Sequence, residues 1–333
     1  MKRVGILNFQ YSTHNYGAVL QAAALEHICR QLDHDPQHLD FMPARRTTLK
    51  GRLGQVLRKT GLRRSPKADQ CGNEEAFERF REAFINRTAR IQSAQAFLAA
   101  AKGYDAVVVG SDQVWRPEFA QDTTAFFLGY VPNGVDRIAY AASFGTATWE
   151  HADDTALTAK VREALARFKA VSCREDSGVA ICKAHFGVDA AHVLDPLLLV
   201  DDGFLERMAA RASVNSPATL VYYKLDSSPD FQSDLNRLSS EFGSRAVNLY
   251  TVDAVRREYR EVADWLALAY GADVVVSDSF HGICLALRCG KEVIYCPNQE
   301  RGQARLDSLF KQLAIDLEPL PWEVKTPMFR LVR

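Results

Sequence analysis

Five short polar stretches hold the residues whose types and spacing can do chemistry. In Ser277-Asp278-Ser279-Phe280-His281-Gly282, His281 can pass a proton near neutral pH. Ser277 and Ser279 offer hydroxyls there, and the amino end of a following helix favours a phosphate or carboxylate. In Gly110-Ser111-Asp112-Gln113-Val114-Trp115, a carboxylate, an amide and an aromatic ring make a set that suits a sugar. Arg174 follows an apolar run, and its guanidinium can clamp an anion bidentately. Arg301 and Arg305 precede or open the last amphipathic segment, and Asn15-Tyr16-Gly17 can meet a ligand through side chain and backbone. Each stretch also has a plainer reading. His281 can cap or pack under its helix, and the Gly110 sextet can be a turn with a buried tryptophan. Arg174 can pair with Glu175, Asp176 or Asp195, and Gly17 can serve only a tight turn.

The elements that must position these residues alternate between strand and helix. Residues 4–7, 106–109, 137–142, 170–173 and 191–194 read as strands in the first half, with helices at 19–32, 74–84 and 156–168. The second half restarts with a strand at 219–223. It continues with strands at 246–249, 274–276 and 293–296 and helices at 231–242, 260–270 and 283–288. This alternation predicts an α/β protein of two Rossmann-like domains, each with a mainly parallel sheet. The polar stretches fall at strand carboxyl ends, so the two domains are expected to face a shared cleft. We place the division at 1–205 and 206–333, with the tail 318–333 lying back across the first domain. The first-loop glycines do not match G-x-G-x-x-G, so no dinucleotide site is predicted.

With 333 residues and 47% hydrophobic content, the chain can fill two cores. Its formal charge is zero, which argues against a nucleic-acid partner. Seven cysteines without CxxC or zinc-ligand spacing fit a reducing cytoplasm. The apolar run before Asn8 is too short for a signal peptide, and no run approaches membrane-spanning length. Residues 44–68 carry nine Lys or Arg and no acid. Such a segment can lie on an anionic membrane surface, hold an anionic substrate, or be a solvated insertion. A cytoplasmic protein, at most peripheral to the inner face of the membrane, is expected.

The chain resembles the polysaccharide pyruvyl transferase family. The resemblance rests on Asn15-Tyr16-Gly17, the Gly110–Trp115 sextet, and Ser172-x-Arg174-Glu175-x-Ser177-Gly178. It rests also on Val193-Leu194-Asp195-Pro196, the Ser277–Gly282 stretch, and Arg305 before the last helix. It implies a fold similar to GT-B glycosyltransferases, with the first domain on the acceptor side and the second on the donor side. It implies transfer of pyruvate from phosphoenolpyruvate to a pair of saccharide hydroxyls, forming a ketal, in cell-surface or exopolysaccharide biosynthesis. The acceptor can be lipid-linked, and no metal or organic cofactor follows. On this reading His281 and Asp112 are catalytic, and Arg174, Arg301, Arg305, Ser277 and Ser279 bind the donor. Asn15, Tyr16, Gln113 and Trp115 hold the acceptor. One departure stands out. Characterised pyruvylating members often carry arginine two residues before the histidine, and here that residue is Ser279, so another cation must meet the donor carboxylate. The alternatives are a GT-B enzyme with a nucleotide-sugar donor and a non-catalytic saccharide-binding protein.

Overall fold

The computed structural model describes residues 1–43, 74–120, 122–214, 218–253, 258–298 and 303–332. The basic stretch 44–68 and Arg301 lie outside the described residues. The first sheet comprises β1 (Arg3–Leu7), β2 (Asp35–His38), β3 (Ala106–Val109), β4 (Asp136–Ala142), β5 (Ala170–Cys173) and β6 (Ala191–His192). Its order is β2-β1-β3-β4-β5-β6, and all its pairings are parallel. β3 is buried at every residue, which is why its sequence is apolar throughout rather than alternating. Among the described residues, six α-helices accompany these strands: α1 (Tyr16–Gln31), α2 (Glu74–Phe84), α3 (Ala94–Ala101), α4 (Thr123–Phe126), α5 (Thr155–Leu165) and α6 (Asp176–Ile181).

The second half opens with α7 (Asp202–Ala209), β7 (Leu220–Tyr223), α8 (Pro229–Glu241) and β8 (Val247–Asn248). A small antiparallel ribbon of β9 (Thr251–Asp253) and β10 (Glu258–Tyr259) follows. Then come α9 (Val262–Gly271), β11 (Val274–Ser277), α10 (Phe280–Arg288), β12 (Glu292–Tyr295), α11 (Gln303–Gln312), β13 (Asp316–Pro319) and β14 (Phe329–Val332). The sheet order is β13-β14-β12-β11-β7-β8. The tail therefore does not return to the first half as the sequence suggested. Instead β14 pairs antiparallel with β12, and β13 with β14. The expected division between 205 and 206 runs through α7, whose Phe204, Leu205 and Met208 pack in a core with second-half residues.

Both sheets have a point where the strand order reverses. β1 lies between β2 and β3, and β7 lies between β8 and β11. Loops leaving the carboxyl ends of such strand pairs border a crevice. The β1 and β3 loops carry Asn15 and Asp112, and the β11 loop leads into His281.

α1 joins the two halves. Leu25 and Cys29 pack with Val4, Ile6 and Val108 of the first sheet. Tyr16, Val19, Leu20 and Ala22 pack in a second cluster with Val221, Trp265, Phe280 and Ile283. A helix apolar on most of its circumference is one buried on most of its circumference. The Tyr16 ring stacks on Trp265 at 5.2 Å, and its hydroxyl donates to the Arg260 carbonyl at 2.8 Å. Among the described residues, no helix is long and apolar enough to cross a membrane.

Candidate active site

Arg174 leaves the end of β5 and is 1% exposed. Its Nη2 donates to Asp112 Oδ1 at 3.0 Å, and its Nη1 donates to Asp195 Oδ2 at 3.0 Å. Nη1 also stands 3.0 Å from Nε2 of His281. The guanidinium lies over the Phe280 ring, 4.3 Å from its centroid. The plain ion-pair reading of Arg174 thus describes its contacts, with Asp195 and Asp112 as partners. A buried charge needs such pairing, because desolvation alone would cost several kcal/mol.

Asp195 caps a short 3₁₀ turn, Pro196–Leu198, through Oδ1, which accepts from the Leu197 N–H at 3.1 Å. Its Oδ2 accepts from Ser111 Oγ at 2.7 Å as well as from Arg174, and lies 3.6 Å from His281 Nε2. Burial alone would raise the Asp195 pKa. The bond with His281, its charge and that of Arg174 more than reverse this and hold the carboxyl well below its ordinary range. Asp112 is balanced alike: burial raises it, while Arg174, then His281 and Arg305, bring it below the usual value. Asp112 takes a positive φ of 76° and accepts from the Gln113 N–H at 2.9 Å.

His281 stands in the first turn of α10 and is 5% exposed. Ser279 caps that helix by accepting from the Gly282 N–H at 3.4 Å. Ser277 Oγ donates to the Tyr223 carbonyl at 2.8 Å and accepts from the Ser279 N–H at 3.0 Å. Both expected donor-binding hydroxyls therefore build the turn that presents His281. Arg305 enters from the first turn of α11, with its guanidinium 5.7 Å from the Phe280 centroid. Burial first, then the like charge of Arg174, push its pKa down to about 10. It keeps its charge at neutral pH. Ser308, one turn further along α11, accepts from the Asp176 N–H at 2.8 Å, docking this helix on the first half. Arg301 lies outside the described residues.

The acceptor set is placed differently from the sequence expectation. Trp115 is 0% exposed; it stacks on Phe127 at 5.3 Å and donates from Nε1 to the Phe126 carbonyl at 3.1 Å. It has no free face for a sugar ring, so the buried-tryptophan reading of that turn holds. Tyr16 is also fully buried, because α1 begins there and turns the ring into the core shared by both halves. Asn15 caps α1, accepting from the Ala18 N–H at 3.2 Å. Gln113 is half-buried, and its amide lies over Gly145, where a side-chain carbon would overlap it.

Three neighbours were not singled out as site residues from sequence. Asp195 and Ser111 complete the network around Arg174. Glu175, fully buried, accepts from the Phe144 N–H at 2.9 Å. Burial raises its pKa, and Arg174 and Arg305 oppose the shift. The signal available was the placement of Asp195 before proline, a pattern for a capped turn. The assembled cluster can hold a histidine between charged partners from the other half and keep two carboxylates ionised beside it.

The structure of UDP-GlcNAc 2-epimerase from Neisseria meningitidis, bound to UDP-GlcNAc, is similar. The TM-score is 0.51 at 11% identity, covering 94% of this chain and 92% of that one. The enzyme of the same name from Methanocaldococcus jannaschii aligns at 0.45 and 10% identity, covering 93% and 92%. The first of these likenesses describes a fold: two mostly parallel α/β layers in the GT-B manner. No curated protein sequence matches significantly. The sequence profile described as polysaccharide pyruvyl transferase matches residues 15–300, a span that runs from Asn15 through Asp112, Arg174 and Asp195 to His281. The chain that brings these residues together across two halves belongs to the polysaccharide pyruvyl transferase family.

Proposed function

We propose that this transferase moves pyruvate from phosphoenolpyruvate to two hydroxyls of a saccharide, releasing phosphate and forming a ketal. The observation that supports this most is the meeting of His281 with Arg174 at 3.0 Å, with Asp112 on the other arm of the same guanidinium. The chemistry needs such a set. A proton is added to the methylene carbon of the enol ether, and C2 becomes cationic. One hydroxyl attacks C2, the C2–O bond to phosphate breaks, and the second hydroxyl closes the ring. His281 supplies and recovers the proton. Asp112 accepts the proton of the attacking hydroxyl, or orients it. Arg174 sets Asp112 and His281 in one frame. Arg305, a cation strained by burial beside Arg174, gains from an incoming carboxylate or phosphate. It takes the part that the missing arginine at Ser279 would play. Gln113 lies at the acceptor side.

Calorimetric titration tests the donor. Phosphoenolpyruvate should bind at millimolar concentration or tighter, and Arg305→Ala should weaken it by about 1.5–3 kcal/mol, the range for a charged hydrogen bond. His281→Asn should lower transfer by roughly 10²–10⁴ while leaving a cooperative unfolding transition. Binding of a uridine diphosphate sugar, with none of phosphoenolpyruvate, would replace this reading with sugar transfer.

A further inference from the structure

The two nitrogens of His281 have different surroundings. Nε2 faces Arg174 Nη1 at 3.0 Å and Asp195 Oδ2 at 3.6 Å. The Nδ1 side of the ring faces the first turn of α1, at Gly17. A Cβ built on Gly17 would lie 2.5 Å from the His281 Cβ and closer still to Cγ and Nδ1. Gly17 has ordinary helical backbone, since it is not among the positive-φ glycines. Its conformation does not call for glycine, and alanine is the better helix former. What glycine supplies here is room, and the group that fills the room is the imidazole from the opposite half.

We propose that Gly17 is a positioning residue for His281: its missing side chain leaves the room in which the ring is seated. This rests on the reading of His281 as the acid/base. Arg174 and Asp195 meet the ring on its Nε2 side. Gly17 meets it on the Nδ1 side, so first-half residues flank the imidazole on both edges.

Long-range proton–nitrogen correlation spectra of the ¹⁵N-histidine-labelled protein test the seat, with His281 assigned by the signals lost in His281→Gln. Gly17→Ala should shift the His281 signals and lower kcat at least tenfold. Unchanged His281 signals with full kcat overturn the seat. Stability gives a third arm. Gly17→Ala should destabilise the wild type, but cost far less when His281→Gly has removed the whole side chain, Cβ included. An equal loss in both backgrounds would mean that the glycine serves something else. The spectra and the stability cycle need no turnover, so they remain readable if phosphoenolpyruvate is not the donor.

Discussion

Asp195 accepts from Ser111, Leu197 and Arg174 and stands beside His281, yet it touches no surface. Asp195→Asn would leave Arg174 with a missing countercharge in a dry place. Removing one partner of such a pair costs about 3–5 kcal/mol. The sign of its pH dependence follows from the depressed pKa. The stabilising contribution of Asp195 is present above the ordinary carboxylate range and is lost as pH falls through and below it. Urea melts at pH 7 should show the full deficit of the variant, and melts below about pH 4 a smaller one. A deficit that grows with acidity would refute the depressed carboxyl. Trp115 supplies the contrasting case. Trp115→Phe should leave the saccharide KM within about twofold and shift the unfolding midpoint modestly, whereas Trp115→Ala should cost about 3–5 kcal/mol. A selective rise in KM with unchanged stability would restore it as a sugar platform. The sequence named both residues but could not weigh them, since an apolar ring suits a sugar and a core equally well.

At the scale of elements, the apolar runs were legible. Strands β3 and β5 and helix α2 fall where the hydrophobic pattern puts them. What escaped were elements held by their neighbours rather than by their own pattern. β2, with the sequence Asp-Pro-Gln-His, is an edge strand; it pairs with β1 over four residues despite a proline. β13, with the sequence Asp-Leu-Glu-Pro, is exposed at every residue, and it joins the sheet only through β14, which pairs with β12. The site follows the same division. The motifs that mark Asp112, Arg174 and His281 could be read directly. That Ser277 and Ser279 serve the turn became visible only with the backbone groups they bond. Arg174 changes likewise from a free clamp to the centre of a network, because no spacing reveals two aspartates folding over it.

For the molecule as a whole, the core that contains Tyr16 and Trp265 draws residues from both halves. Urea unfolding should therefore be one transition. Fluorescence, with Trp115 and Trp149 reporting on the first half and Trp265 and Trp322 on the second, should coincide with far-ultraviolet circular dichroism. Two resolved midpoints would mean that the halves are energetically separate. Trp265→Ala should lower the common midpoint and, through Tyr16 and the adjoining Gly17, reach His281 as well.

The double allegiance of α1 also bears on grafting. A chimaera that exchanges everything after residue 206 with a relative would set a foreign ring against Tyr16 and a foreign histidine against Gly17. The joint would look clean on a linear map and be broken in space. A graft that respects the molecule carries residues 15–31 along with the second half and also keeps Val4, Ile6 and Val108 matched to Leu25 and Cys29 of that helix.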